Sequence, residues 1–242
     1  SWRAKLREVT GKLVGEHAMA GVYLDCLAAT RAMPCYDPLH QHSLRGGDYR
    51  SKGNRRLLEE LRLGTRRLVP DAAFFTEEIG EQYLDLMDGF LTLDLTRSSL
   101  RPGEQVWPLF SAVYHPYALN FGSDARLDMP ADAFAWQMGT LFTWGMVPLL
   151  STGVAVPPTP GERNSEFLRE LVQAYYCVGQ PFLQEGQWER LAIMPDAGTR
   201  PVAPLSLSAS PHTVLYEGSN QKPRFWQGPS ILGSAWRQGG SL

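Results

Sequence analysis

The chain has 242 residues, of which 43% are hydrophobic and 11% aromatic, so it is long and apolar enough to bury a core. Its 23 basic and 25 acidic residues give a formal net charge of -2, which argues against nucleic acid or an anionic membrane surface as a partner and fits a neutral substrate. No run approaches the roughly 20 apolar residues of a membrane span, and the first residues lack the pattern of a secretory signal. The three cysteines Cys26, Cys35 and Cys177 have no CxxC spacing and do not indicate a disulfide framework.

Two helices, each followed by a strand, are predicted in the first 80 residues. Apolar residues at steps of three and four predict amphipathic helices over 2–17 and 55–67. Each helix leads into a short apolar run that ends in a carboxylate, Val22-Tyr23-Leu24-Asp25 and Ala72-Ala73-Phe74-Phe75-Thr76-Glu77-Glu78. Such runs are typical of buried parallel strands whose C-terminal ends carry chemistry.

The alternation of helices and strands continues to residue 150. We predict a short helix over 81–88, strands over 89–93 and 106–114, a helix over 131–142 and a last short strand over 144–150. The order of strand, helix and strand repeats about five times, which favours a parallel sheet with right-handed crossovers.

The pattern changes after residue 150. Pro and Gly over 157–161 predict a turn or linker, and Asn164 or Ser165 can cap a helix through about Gly179. Short extended runs over 188–194, 213–217 and 230–237 are separated by Pro, Gly and Ser. These runs predict antiparallel strands of an appended β domain.

The acids at the two strand ends are the candidate catalytic residues. In a (β/α) barrel all strands direct their C-terminal ends to one face, so Asp25 is expected to meet Glu77 or the adjacent Glu78. Two converging carboxylates are the minimum machinery for cleaving a glycosidic bond. Residues adjacent on a strand face opposite ways, so at least one of the two glutamates has an ordinary structural role.

Several motifs resemble those of a large, mostly uncharacterised family of glycosidase-like proteins, which is distantly similar to endo-α-N-acetylgalactosaminidases and other retaining α-glycosidases. The motifs are Gly21-Val22-Tyr23-Leu24-Asp25, Cys35-Tyr36-Asp37-Pro38 with His40 and His42, Thr76-Glu77, Asp88-Gly89-Phe90-Leu91, Pro108-Leu109-Phe110 with Val113-Tyr114, and Ser234-Ala235-Trp236-Arg237.

This resemblance implies a catalytic (β/α)8 barrel followed by a β-sandwich. Asp25 would then end the fourth strand as the nucleophile, and Glu77 the fifth as the acid/base. The sequence departs from the family pattern at Glu78, where a small residue is usual. We expect residues 1–180 to form the C-terminal part of the barrel, with about five of its eight strands, and residues 181–242 to begin the sandwich. The remainder of a longer polypeptide, or a companion chain, would complete the barrel.

The long connection from Cys26 to about Asn54 follows the first acid, where barrel loops build active sites. Its Asp37, His40 and His42 are candidates for binding sugar hydroxyls. As an alternative, Cys35, His40 and His42 could bind zinc and activate a water, although neither HExxH nor paired CxxC is present. We favour the sugar contacts and assign neither a metal nor a cofactor.

Aromatic residues near the predicted strand ends are candidates for a sugar platform, although each is more often a core residue. They are Tyr36, Trp107, Tyr114, His115 and Trp144. A carbohydrate substrate favours an extracellular or periplasmic location. A second hypothesis is a catalytically silent carbohydrate-binding or assembly module, because a fold does not fix a function.

Overall fold

A computed structural model describes residues 2–29, 33–93, 108–122, 125–150, 159–192, 199–202, 226–229 and 233–237. The helices are α1 (Trp2–Gly15), α2 (Tyr49–Arg66), α3 (Leu109–Tyr114), α4 (Ala131–Thr143), α5 (Arg163–Ala174) and α6 (Gln180–Leu183). A short 3₁₀ helix covers Glu81–Tyr83, and a π-helix covers Tyr175–Gly179. The strands are β1 (Gly21–Leu24), β2 (Ala73–Glu77), β3 (Gly89–Leu91), β4 (Leu119–Phe121), β5 (Gln187–Ala192), β6 (Thr199–Val202), β7 (Trp226–Pro229) and β8 (Gly233–Arg237). The fold is mixed α/β, and the chain divides into two compact units, Ser1–Leu91 and Thr92–Leu242.

Parallel strands form the sheet of the first unit. β1 pairs with β2, and β2 pairs with β3, both in parallel. Parallel neighbours require a crossover connection, and α2 carries the chain from the end of β1 to the start of β2. β1 ends directly before Asp25, and β2 ends at Glu77. The two predicted strands, each with an acid at its C-terminal end, and the parallel pairing between them are therefore confirmed.

The two faces of these strands differ in burial, as expected from the two-residue period of side chains along a strand. One face is buried and includes Leu24, Phe74 and Phe90. On the other face Tyr23 is 42% exposed, and the half-buried Phe75 lies opposite it in the β1–β2 register. The face on which the strands end in acids is thus the more open one.

The second unit has a core built on α4. Its buried cluster contains seven residues, Ala125, Leu127, Phe134, Met138, Leu141, Trp144 and Met146. α4 lies in sequence between β4 and Val147, which forms an isolated parallel bridge with Phe121 of β4. The Val147 amide donates to the Asn120 carbonyl at 2.9 Å. The second unit therefore also contains a parallel crossover through a helix, but its two extended segments are paired by a single bridge only.

Antiparallel pairs occur towards the end of the chain. β5 pairs with β8, with an irregular register between Trp188 and Arg190, and β6 pairs with β7. The rings of Trp188 and Trp236 stack at 5.0 Å across the first pair. The predictions of extended runs near 188–194 and 230–237 are confirmed by β5 and β8. The predicted strand over 213–217 lies outside the described residues.

Three predictions of secondary structure are wrong. The run predicted as a strand over 106–114 forms helix α3, in which Phe110 and Tyr114, four residues apart, place their ring centroids 5.0 Å from each other. Short apolar runs fit a buried helix as well as a strand, so sequence periodicity could not separate the two. The helix predicted over 81–88 is only the 3₁₀ helix Glu81–Tyr83, and the strand predicted over 144–150 is reduced to the bridge at Val147.

Within the described part of the chain, none of the helices combines the length and the apolar character that crossing a bilayer requires.

Candidate active site

The pairing of β1 with β2 brings the two predicted acids to one edge of the sheet. Its last register pair is Leu24 with Thr76, so Asp25 and Glu77 occupy the next position on neighbouring strands. The Thr76 hydroxyl donates a hydrogen bond to the Leu24 carbonyl at 2.7 Å and ties the two strand ends together. Both acids thus leave the sheet at its C-terminal edge, where parallel strands in barrels carry catalytic groups.

A cysteine completes this group of side chains. The Cys26 thiol donates to Glu77 Oε2 at 2.9 Å, and its sulfur lies 3.7 Å from Asp25 Oδ2. One carboxylate oxygen of each acid and the thiol sulfur all lie within 4.8 Å of one another. The two carboxylates are therefore close enough to act on opposite sides of a single substrate bond. We call Asp25, Cys26 and Glu77 the acid cluster.

The backbone turns sharply immediately after each acid. Cys26 has φ 55° and Glu78 has φ 61°, so both residues adopt the left-handed conformation that non-glycine residues seldom occupy. Such strained positions cost about 1–3 kcal/mol each and often occur at functional sites. Glu78 itself is half-buried, and its backbone amide donates to the Leu91 carbonyl at 2.8 Å.

Two neutral donors stand beside the carboxylates. A hydrogen bond to Glu77, burial, and the charges of Glu77 and Asp25 raise the pKa of the Cys26 thiol to about 12. Burial, followed by the charges of the same two acids, raises the pKa of the Tyr23 phenol. Both groups stay protonated near neutral pH, so they can donate hydrogen bonds to carboxylates. The raised pKa also makes Cys26 a poor nucleophile.

Sequence reasoning missed Tyr23 and Cys26. Tyr23 could have been found, because it lies two residues before Asp25 and therefore on the same strand face. Cys26 could not, because its contact with Glu77 depends on the left-handed turn after β1.

The predicted loop residues lie in a short closed segment of the first unit. Cys35 and Arg45 exchange backbone hydrogen bonds of 2.7 and 2.6 Å and close this segment, here called the 35–45 loop. Within it, His40 Nδ1 lies 3.2 Å from Cys35 Sγ, and His40 Nε2 lies 3.2 Å from Asp37 Oδ2. Tyr36 is 67% exposed. The structure thus brings Asp37, His40 and Cys35 into contact and leaves Tyr36 accessible.

The other predicted sugar contacts belong to the second unit. Tyr114 is the last residue of helix α3 and His115 follows it, so neither lies at the end of a strand, which corrects the reason for choosing them. His115 and Trp144 are each 6% exposed, and Trp144 is part of the α4 core cluster. Trp107 lies outside the described residues. Sugar binding by these four residues stays a prediction.

Comparison with known proteins gives the family. Residues 1–124 match the family described as "Domain of unknown function (DUF6259)", and the chain belongs to this family. It is 31% identical over 131 residues to "Putative glycoside hydrolase 22789" of Monosiga brevicollis, an alignment that covers 54% of this chain and 11% of the relative. It is 28% identical over 197 residues to "Putative glycoside hydrolase" of Bacteroides thetaiotaomicron, which covers 76% of this chain and 28% of the relative. These relatives confirm the resemblance to a glycoside-hydrolase-like family, and the chain spans less than a third of their length.

A solved structure is also similar in part. It is the ligand-free form of the cyclic α-maltosyl-(1→6)-maltose hydrolase from Arthrobacter globiformis, with a TM-score of 0.47 and 17% sequence identity. The similar region covers 84% of this chain and 49% of that protein.

Proposed function

We propose that the chain carries the catalytic carboxylates of a retaining glycoside hydrolase, with Asp25 as the nucleophile and Glu77 as the acid/base. The observation that carries this proposal is the spacing in the acid cluster, where carboxylate oxygens of Asp25 and Glu77 lie within 4.8 Å of each other. Retaining enzymes hold their two carboxyl groups about 5–5.5 Å apart, whereas inverting enzymes need about 6.5–9.5 Å to admit a water. The names of the two relatives support the same class of reaction.

The proposed reaction has two steps. In the first, an Asp25 oxygen attacks the anomeric carbon while the Glu77 carboxyl gives its proton to the departing glycosidic oxygen, which leaves as an alcohol. In the second, Glu77 takes a proton from water, the water oxygen attacks the anomeric carbon, and the bond to Asp25 breaks. Asp25 suits the nucleophile because its short side chain directly follows β1.

Cys26 and Tyr23 are proposed to position these carboxylates. The thiol hydrogen bond of 2.9 Å fixes one oxygen of Glu77. Tyr23 lies on the same strand face as Asp25, and its phenol stays protonated beside the two acids. Neither group has to lose a proton during the cycle. Both are positioning residues in this scheme.

The proposed architecture is the C-terminal part of a (β/α)8 barrel followed by a β-sandwich. The parallel strands of the first unit, with acids at their C-terminal ends, fit a barrel segment. The open face around Tyr23 fits the interior side of a barrel that further strands would cover. We propose that the rest of a longer polypeptide, or a companion chain, supplies those strands and part of the pocket for a carbohydrate substrate.

Aromatic side chains are proposed to bind the sugar. Tyr36 is the best candidate, because it is exposed on the loop that follows the nucleophile's strand. An aromatic ring combines an apolar face with low conformational entropy, which suits stacking on a sugar.

The test compares Asp25→Asn, Glu77→Gln and Glu78→Gln in the intact protein that contains this chain. The substrates are aryl glycosides with good and poor leaving groups. Asp25→Asn should lose turnover on both kinds, because each needs the nucleophile. Glu77→Gln should lose about 10²- to 10⁴-fold on the poor leaving group and much less on the good one, which departs without a proton. Glu78→Gln changes the adjacent glutamate and serves as the matched control, so its turnover should stay close to that of the wild type.

The stereochemistry of the first product gives an independent test. Proton NMR of the reducing sugar released early in the reaction should show the anomeric configuration of the substrate. An inverted product, or unchanged turnover in both Asp25→Asn and Glu77→Gln, would contradict the proposal. A wild-type protein that binds carbohydrate without cleaving it would support a silent binding module instead.

A further inference from the structure

The 35–45 loop is organised by its own hydrogen bonds. Besides the paired backbone bonds between Cys35 and Arg45, the Leu39 amide donates to Asp37 Oδ1 at 2.9 Å, and the His40 amide donates to the Asp37 carbonyl at 3.3 Å. Arg45 adopts φ 76° at the closing end. The loop therefore holds its side chains in place at a fixed separation, which is the condition for a preorganised binding site.

His40 presents one ring nitrogen to the sulfur of Cys35. Its Nε2 lies 3.2 Å from Asp37 Oδ2, and a carboxylate there selects the tautomer with the proton on Nε2. The lone pair is then on Nδ1, which lies 3.2 Å from Cys35 Sγ. A histidine held by a carboxylate through one nitrogen, with its other nitrogen available to a ligand, is the arrangement found in carboxylate–histidine–zinc groups.

His42 is arranged in the same way by a backbone carbonyl. Its Nδ1 lies 2.8 Å from the Ser43 carbonyl, which can only accept, so Nδ1 carries the proton and Nε2 the lone pair. The ring stacks on Tyr49 at 4.2 Å, and Tyr49 hydrogen-bonds through its hydroxyl to the Met33 carbonyl. Both histidines thus have one nitrogen held by an acceptor and a lone pair on the other nitrogen, which is the form of the ring that binds a metal.

The spacing of the three donor side chains fits one metal ion. Ligand atoms of Cys35, His40 and His42 lie within 4.8 Å of one another, and the Cys35 to His40 distance is 3.2 Å. In a tetrahedral zinc site, with bonds of about 2.3 Å to sulfur and about 2.0–2.1 Å to nitrogen, neighbouring ligand atoms lie roughly 3.5 Å apart. One thiolate with two imidazoles is a donor set that zinc prefers over magnesium or calcium.

We infer that the 35–45 loop binds one zinc ion through Cys35 Sγ, His40 Nδ1 and His42 Nε2, with Asp37 and the Ser43 carbonyl orienting the two imidazoles. The fourth position is taken by water. Binding displaces the thiol proton of Cys35 to solvent, and the metal fastens the loop that carries Tyr36. This role differs from the predicted sugar contacts of Asp37, His40 and His42, and it does not depend on the glycosidase mechanism.

The experiment titrates Co²⁺, a spectroscopic stand-in for zinc, into the intact protein that contains this chain. We expect one ion per chain, a thiolate-to-cobalt charge-transfer band and the intense ligand-field bands of a tetrahedral site, all removed by added Zn²⁺. Cys35→Ser should abolish the charge-transfer band, and His40→Ala and His42→Ala should each weaken binding. Asp37→Asn should reduce the affinity about 10- to 100-fold, as loss of a group that orients a metal ligand does.

Matched variants locate the ion. Cys177→Ser and His17→Ala change an exposed cysteine and an exposed histidine outside the loop and should leave the spectrum unchanged. A band that survives in Cys35→Ser and disappears in Cys26→Ser would place the ion at the acid cluster and overturn the inference.

A measurement on the unmodified protein does not depend on the folding of any variant. Zn²⁺ should protect Cys35 from alkylation, followed by mass spectrometry of its peptide, while Cys177 stays reactive. Equal labelling of Cys35 with and without Zn²⁺ would overturn the inference as well.

Discussion

The thiol of Cys26, the residue directly after one strand-end acid, hydrogen-bonds to the carboxylate of the other acid, with Sγ 2.9 Å from Glu77 Oε2. This contact links the ends of β1 and β2 through side chains as well as through the sheet. It also places a neutral donor between two carboxylates that would otherwise repel each other. The rate at which the Cys26 thiol reacts is therefore a probe of the geometry of the acid cluster.

The first prediction concerns the reactivity of Cys26. Because its pKa is raised to about 12, chiefly by the hydrogen bond to Glu77, the thiol should be alkylated slowly at about pH 8 although its side chain is exposed. Glu77→Gln removes that carboxylate, so the pKa of the thiol should fall. Each unit by which the pKa falls raises the thiolate fraction about tenfold, so the alkylation rate should increase at least about tenfold. Iodoacetamide labelling with mass spectrometry of the Cys26 peptide measures this rate.

Glu81→Gln is the control for this experiment, because Glu81 is an exposed acid in the 3₁₀ helix after β2. It should leave the labelling rate of Cys26 unchanged. Equal rates in wild type and Glu77→Gln would show that the carboxylate does not hold the thiol.

The second prediction concerns an ion pair that supports β2. Asp88 Oδ2 accepts a hydrogen bond from Arg62 at 2.7 Å and another from the Phe74 amide at 2.7 Å. The Arg62 side chain is only 13% exposed, so loss of its partner leaves a largely buried charge. Asp88→Ala should therefore lower the free energy of unfolding by about 2–4 kcal/mol. Urea unfolding followed by circular dichroism measures the change.

Asp85→Ala is the matched comparison in the same unit. Asp85 pairs with Arg55 at 2.6 Å, but its side chain is 62% exposed. Exposed ion pairs contribute at most about 1 kcal/mol, so this variant should be nearly as stable as wild type. Equal losses in the two variants would mean that burial does not distinguish the two ion pairs.

The convergence of Asp25 and Glu77 could be predicted from the sequence, because parallel strands direct their C-terminal ends to one edge whatever the exact register. The different backbone conformations of Glu77, which ends β2, and of Glu78, which lies in a left-handed turn, could not be predicted. The contact of Cys26 depends on a similar turn. Local dihedral angles of this kind leave little trace in hydrophobic periodicity.

The fold was predictable to a different degree in the two units. In the first unit, the helical periodicity over α2 and the two apolar runs that end in acids correctly predicted the alternation of helices and strands. In the second, the run that forms α3 is short and mostly apolar, and it matched a strand equally well. β6 and β7 were missed because each contains a proline, which weakens a strand signal.

The third prediction concerns Gly145 in the second unit. It has φ +72°, and a Cβ there would lie 2.5 Å from Trp236 Cη2 and 3.0 Å from His115 Cε1. Gly145→Ala should therefore cost about 1–2 kcal/mol for the left-handed backbone and about 1–3 kcal/mol more for overpacking against the indole. Gly161→Ala is the control, since Gly161 has φ +83° but no described atom within 4 Å of such a Cβ. Denaturant unfolding should show a clearly larger loss for Gly145→Ala, and equal losses would contradict the packing of Trp236 on this glycine.

The fourth prediction concerns the pH dependence of stability through His115. Burial lowers its pKa below the ordinary value of 6.5, and a hydrogen bond to the Leu183 backbone only partly offsets this effect. The unfolded chain then takes up the proton first as the pH falls, so this histidine stabilises the fold above about pH 6.5 and progressively less below it. The free energy of unfolding should fall between about pH 7.5 and pH 5.5 in the wild type.

His115→Gln should flatten this part of the pH profile, because glutamine does not titrate. His17→Gln is the matched control, since His17 is exposed, and it should retain the wild-type slope. Urea unfolding at a series of pH values measures both variants. A slope that is unchanged in His115→Gln would show that the ring, which lies 4.6 Å from Trp236, is not held in its neutral form by burial.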